Sequence, residues 1–233
     1  MTRIVTALHP IDKSLFSPRS ALAAMGLAVL LMFCALFSAQ AEAGVEDEIM
    51  AKVRKDTNRL VEKLRNQRQT YYEDKTKFYD IMHGALVESI DFQRISARIM
   101  GRYRREASDE QQKRFVEVFK KSLFNAYGKT LVESDQFNIN VLSAELNPRA
   151  KDRASVNLEV VSQSGNKYPV TYSMYDSDKK GWLLENVIVN GVNLGLAFRD
   201  KFEQLMSQHK GNIDKVIDNW TSTVEEDRIQ EKK

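Results

Sequence analysis

Hydrophobic positions recur along this chain with two different periods, and the change from one to the other divides it. From residue 45 to about 133 apolar side chains return every three or four positions, which gathers them on one face of a helix. Beyond 137 they alternate with polar ones, as in strands with one buried face.

The helical part resolves into pieces. Ile49, Val53, Leu60, Val61 and Leu64 make a stripe over 45–66. A polar break at 66–70 precedes a second pattern over 71–88, with Phe78, Met82, Ala85 and Leu86 on one face. Asp91 caps a third helix that ends near Gly101. Ser108 and Gln111 then form a capping box, the Ser/Gln spacing that satisfies two backbone donors at a helix start. The helix it opens carries a broad apolar face of Phe115, Val116, Phe119, Leu123, Ala126, Tyr127 and Leu131.

Four strands are predicted next, over 137–146, 153–162, 167–176 and 182–190. Ala154, Val156, Leu158 and Val160 share one face of the second; Tyr168, Val170, Tyr172 and Met174 share one face of the third. Ser164-Gly165-Asn166 reads as a hairpin turn, so the strands are antiparallel. Helices over 194–209 and 213–224 close the pattern, the last aligning Ile213, Val216, Ile217 and Trp220. Helices, a meander and helices again predict an α+β domain with a helical layer on a twisted four-stranded antiparallel sheet.

The first 43 residues stand apart. Arg3, Lys13 and Arg19 precede an apolar run from Ala21 to Phe37, and Ala41-Glu42-Ala43 offers small residues at signal-peptidase spacing. The run is short for a membrane span of ~20 residues. Residues 1–43 are therefore expected to be a signal peptide, 44–225 the domain, and 226–233 a charged, frayed tail. Cleavage after Ala43 would remove Cys34, the single cysteine, leaving no disulfide or thiolate chemistry. The chain carries 35 basic and 32 acidic residues; the leader's three basic and two acidic ones leave 32 against 30, a net +2. That near-balance argues against nucleic acid as the partner.

Catalytic signatures are sparse. His83 and His209 are the histidines beyond the leader, without metal-ligand spacing, and no Gly-rich phosphate loop or nucleophile elbow is present. A cone-shaped enzyme with a buried carboxylate would have to recruit Glu159, Glu185 or His83, and solvated surface positions account for each of these more simply. No catalytic residue, metal or cofactor is expected. The apolar faces of the long helix and the sheet read from periodicity as an ordinary core. Tyr127, Tyr168, Tyr172 and Tyr175 suit the rim of a cavity, because a buried hydroxyl needs a partner. Arg102, Arg104 and Arg105 fit a solvated helix end or a contact with an anionic headgroup or partner.

Two blocks carry a resemblance. Residues 99–108, Ile-Met-Gly-Arg-Tyr-Arg-Arg-Glu-Ala-Ser, are followed by Gln111, Phe115, Phe119 and Ala126-Tyr127-Gly128. Gly181-Trp182 leads to residues 187–194, Val-Ile-Val-Asn-Gly-Val-Asn-Leu, then Phe198-Arg199-Asp200-Lys201-Phe202. The ordered set resembles the MlaC, or toluene-tolerance, family of periplasmic phospholipid carriers. The chain departs from the family pattern at Asn186, where Asp is usual, Asn193, where Ser is common, Met100, where Leu is common, and Glu88, near a common Pro.

The resemblance implies a soluble, non-enzymatic carrier whose helical layer and sheet enclose acyl chains. It implies an outer-membrane lipoprotein complex and an inner-membrane ABC transporter with a lipid-binding ring as partners, in a system maintaining outer-membrane lipid asymmetry. Relatives associated with hopanoid synthesis are similar, and the residues do not separate the two branches. A half-barrel lipoprotein carrier would need a more β-rich chain. Shielding two acyl chains at ~0.8 kcal/mol per methylene calls for a cavity near or above ~1,000 Å³. Its expected walls are Phe115, Phe119, Leu123 and Tyr127 facing Val156, Leu158, Tyr168, Val170, Tyr172 and Met174.

Overall fold

Capping side chains set most of the helix boundaries in the computed structural model, which describes residues 44–133 and 137–221. The sheet and the helices that pack on it lie in one compact unit beginning at Glu46. The expected signal peptide and charged tail lie outside the described residues.

Helix α1 (residues 44–66) buries Ile49, Val53 and Leu64. The single helix expected over 71–88 is two, α2 (Arg68–Glu73) and α3 (Lys75–Leu86). Asp74 breaks it: its backbone is extended and its side chain accepts from the Lys77 amide at 2.9 Å, the cap geometry that competes with helix continuation. Asp91 caps α4 (Phe92–Met100) through the Arg94 amide at 2.8 Å. Gly101, with φ 55°, turns the chain into a 3₁₀ segment, Gly101–Arg105. The capping box at Ser108 and Gln111 forms as expected, opening α5 (Asp109–Val132).

Strands β1 (Phe137–Asn147), β2 (Ala150–Ser162), β3 (Lys167–Ser177) and β4 (Gly181–Val189) form an antiparallel meander in sequence order. The four-strand expectation misses β5 (Val192–Asn193), which returns along β4. Its turn is Asn190-Gly191, both with positive φ (50° and 77°), a pairing that Asn-Gly tolerates in a two-residue hairpin. Helices α6 (Leu194–Gln208) and α7 (Ile213–Asp218) are each capped by an asparagine, Asn193 and Asn212. Helix α7 ends before the expected 224, with Asn219 at its C-terminus.

Two packing regimes position the rest. Helices α4 to α7 close around Phe115, Phe119, Phe198, Phe202, Met206 and Trp220, all buried. Their rings meet largely edge to face, Phe115 to Phe202 at 5.1 Å and Phe119 to Phe198 at 5.6 Å between centroids. A second cluster joins α1, α3 and α5 through Leu64, Phe78, Met82, Phe124 and Val132. The sheet meets the helices along α1, α4 and α6. Segment 89–91 bridges to Leu184 of β4, with Leu184 donating to the Ser89 carbonyl at 2.9 Å.

Candidate functional site

Register decides which side chains the sheet turns toward the helices. Tyr172 pairs with Val156 and Val187, Met174 with Ala154 and Leu184, and Val170 with Leu158 and Val189. These apolar residues share one face. The other face carries a hydrogen-bonded row in which Thr171 donates to Asn157 at 3.0 Å and Asn157 to Ser143 at 3.1 Å.

Between the apolar face and the helices lies a cavity of about 70 Å³. Val53 and Leu60 of α1, Ala85 and Leu86 of α3, and Ile90 form one wall; Tyr172, Met174 and Leu184 form the other. Most of this lining is half-buried rather than sealed. Tyr172 is half-buried: desolvation pushes its hydroxyl pKa up, and no hydrogen bond ties it to the described residues. Polar groups gather at the rim. Asp56, Thr57, Arg59 and Ser89 complete the lining, so one side of an otherwise apolar space is charged.

The size corrects an expectation. About 70 Å³ is far below the ~300–1,000 Å³ of ligand pockets. The structure leaves no room for an acyl chain here, because the α1, α3 and Ile90 side chains lining the cavity approach Tyr172, Met174 and Leu184 closely.

The expected wall residues are divided by the fold. Val156, Leu158, Val170, Tyr172 and Met174 lie on the apolar sheet face, with Tyr168 half-buried toward its end. Phe115 and Phe119 do not face them. They are wedged among α4, α6 and α7, with Leu123 packed on the same cluster. Tyr127 is half-buried further along α5. Periodicity presents one broad apolar face as one contact, whereas α5 spends its length packing on other helices. Across the cavity, the side chains that oppose the sheet come from α1 and α3 with Ile90, and the helical stripes carry no sign of that partner.

Arg102, Arg104 and Arg105 are exposed on the 3₁₀ segment. Arg102 donates to the Tyr103 hydroxyl at 2.8 Å. Arg104 and Arg105 join Arg98 and Arg199 along a separate surface cleft of about 870 Å³ that shares no residue with the apolar cavity. Strand β4 divides the two spaces: Leu184 lines the cavity and Glu185 the cleft.

Glu185 itself is no solvated edge residue. It is buried, with Arg94 at 2.6 Å, Arg98 at 2.9 Å and Arg153 at 3.9 Å. Tyr175 sits beside this group, its hydroxyl donating to Asp91 and the Arg94 guanidinium 4.0 Å from its ring. His83 takes the buried Lys120 ammonium on Nε2 at 2.8 Å, and Lys120 also pairs with Glu117. Glu159 pairs with Lys167 at 3.1 Å. None of these three candidates for enzymatic chemistry reaches the apolar cavity. Among the described residues no group of His, Cys, Asp and Glu is arranged to hold a metal, and no helix is long and apolar enough to cross a membrane.

The family model for the MlaC protein matches residues 54–222. The chain belongs to the MlaC family. It is 37% identical over 169 residues to the toluene tolerance protein ttg2D of Pseudomonas putida, which covers 72% of this chain and 77% of that protein. The MlaC fold is also seen in a phospholipid-binding protein from Ralstonia solanacearum, solved in complex with a phospholipid. That structure superposes with a TM-score of 0.65 at 18% identity, over 72% of this chain and 92% of the other. Two departures from the MlaC pattern prove to be neighbours. Asn186 donates to Asn193 Oδ1 at 3.0 Å and accepts from the Gly195 amide at 3.0 Å, so both asparagines belong to the cap of α6.

Proposed function

We propose that this protein is a periplasmic phospholipid carrier that holds acyl chains between the α1/α3 layer and the apolar face of the sheet. The observation that carries this reading is the half-buried apolar slot, opening on one charged rim, in a chain of the MlaC family. The 37%-identical toluene tolerance protein and the fold shared with a phospholipid-bound protein support it.

The residues proposed to touch lipid are Val53, Leu60, Leu86, Ile90, Leu184, Tyr172 and Met174, with Val156, Leu158 and Val170 behind them on the same sheet face. The roles expected for Phe115 and Phe119 pass to α1 and α3. Loading then requires the helices to rise from the sheet, since exposing each methylene to water costs ~0.8 kcal/mol and the slot must enclose many of them. In this reading the protein is the soluble component of an ABC-transport system. It exchanges lipid with an outer-membrane lipoprotein complex and with an inner-membrane transporter carrying a lipid-binding ring. The cleft lined by Arg98, Arg104, Arg105 and Arg199 is the surface proposed for an acidic partner.

Native mass spectrometry of the protein exported to the periplasm and purified without detergent tests the proposal. Stoichiometric phospholipid is expected. A lipid-free protein that also takes none from vesicles would return the slot to the status of a loosely packed core.

A further inference from the structure

The charged rim of the cavity is asymmetric in how firmly its members are held. Asp56 Oδ2 already accepts from Lys52 Nζ at 2.7 Å and from Ser89 Oγ at 2.8 Å. Arg59 reaches the other oxygen of Asp56 only at 3.4 Å and Ser89 Oγ at 3.3 Å. Its closest partner is Glu88, whose side chain is 62% exposed. An ion pair so open to water contributes little net stability. Arg59 therefore has one end on the apolar cavity, the other in solvent, and no two-pronged bond to a single carboxylate. A guanidinium fork so placed is suited to a phosphate, which offers two oxygens in the matching geometry.

We infer that Arg59, with Lys52 beside it, binds the phosphodiester of a phospholipid whose chains occupy the cavity, and that Glu88 is the counter-ion it leaves on loading. The inference rests on the cavity being the acyl-chain site. It assigns the headgroup to the α1 rim rather than to Arg102, Arg104 and Arg105, which lie away from the cavity. Loading thereby exchanges a water-exposed pair for a phosphate contact and frees Glu88, on the turn between α3 and α4, from α1. Recognition reads the phosphate, common to all phospholipids, and not the alcohol beyond it.

The test compares delipidated wild-type protein with Arg59→Gln and Glu88→Gln variants. Each is titrated with vesicles containing either phosphatidylglycerol or diacylglycerol of identical chains, and retained lipid is counted by native mass spectrometry. Arg59→Gln is expected to weaken phospholipid retention about tenfold or more, as for loss of a charged hydrogen bond, and to leave diacylglycerol unchanged. Glu88→Gln is expected to strengthen phospholipid retention several-fold. Arg59→Lys should recover part of the loss, since it restores charge without the fork. Equal losses for both lipids in Arg59→Gln would make the residue a latch of the fold and overturn the inference, as would unchanged phospholipid retention. Inorganic phosphate protecting wild type against heat as well as phospholipid does would also overturn it, by separating the anion site from the cavity. If wild type retains neither lipid, the cavity assignment falls together with the inference; if it retains both and Arg59→Gln matches it, only the role of Arg59 falls.

Discussion

The two apolar regions of this molecule use similar residues to opposite ends. Around Phe115, the helices α4 to α7 bring five aromatic side chains into interlocked contact, and each is at most 5% exposed. Around Tyr172, the sheet and α1/α3 bring aliphatic and aromatic side chains together but leave most of them half-buried about a void. Interiors packed to crystal density resist any change of shape. A slot walled by Leu60, Leu86, Ile90 and Leu184 has fewer fixed neighbours and can part at lower cost. The aromatic region is packed as a frame; the slot is the part that the proposed function requires to change volume.

Mutations should separate the two sharply. Phe115→Ala is expected to cost about 3–5 kcal/mol in urea unfolding, because its position among packed rings cannot collapse, with lipid bound per folded molecule unchanged. A loss of lipid without a loss of stability would reverse the assignment of frame and slot. Leu86→Ala, by contrast, is expected to cost about 2 kcal/mol or less, at the low end of the range for such truncations, since it enlarges a void that exists already. Its lipid exchange should change more than its stability; the opposite ordering would show that the slot is ordinary core.

The smallest effect concerns a polar insertion in the helical layer. Burial, followed by the charges of Glu117 and Asp80 and a hydrogen bond with Glu117, pushes the Tyr79 pKa up to about 12. The unfolded chain loses that proton near pH ~10 and the folded one only near 12, so stability is full below ~10 and falls as pH rises between the two values. Two units correspond to at most ~2.7 kcal/mol, and solvent screening of this half-buried ring reduces that to about 1 kcal/mol. Tyr79→Phe should remove that part of the alkaline slope, measured by denaturant midpoints across pH 9–12.

Local chemistry makes most of the fold legible in the sequence. The caps at Asp91 and Ser108 and the alternation in β2 and β3 are short-range signals, and those elements lie where their signals place them to within a few residues at the ends. Asp74 escapes notice because an acidic residue inside an apolar stripe reads as a solvated position, although its capping chemistry is available. Strand β5 escapes because two residues show no periodicity, while Asn190-Gly191 carries the turn signal. The site is legible by half. Alternation identifies the sheet face that holds Tyr172 and Met174, but periodicity does not say which helix covers it, and only the tertiary arrangement gives that place to α1. The burial of Glu185 is hidden for a related reason. Its three arginines come from α4 and β2, and a lone glutamate in a strand gives no sign of partners so far away in the chain.

Helix α1 also touches the outermost strand. Glu46 accepts from the Leu146 amide at 2.9 Å and Arg54 donates to the Val141 carbonyl at 3.2 Å, so two main-chain groups of β1 are occupied by side chains of the helix. Lifting α1 to admit a lipid would return those groups to solvent and leave an eleven-residue strand with an open border. Such a border is a template for pairing with another chain. If loading proceeds as proposed, it carries a hazard of self-association.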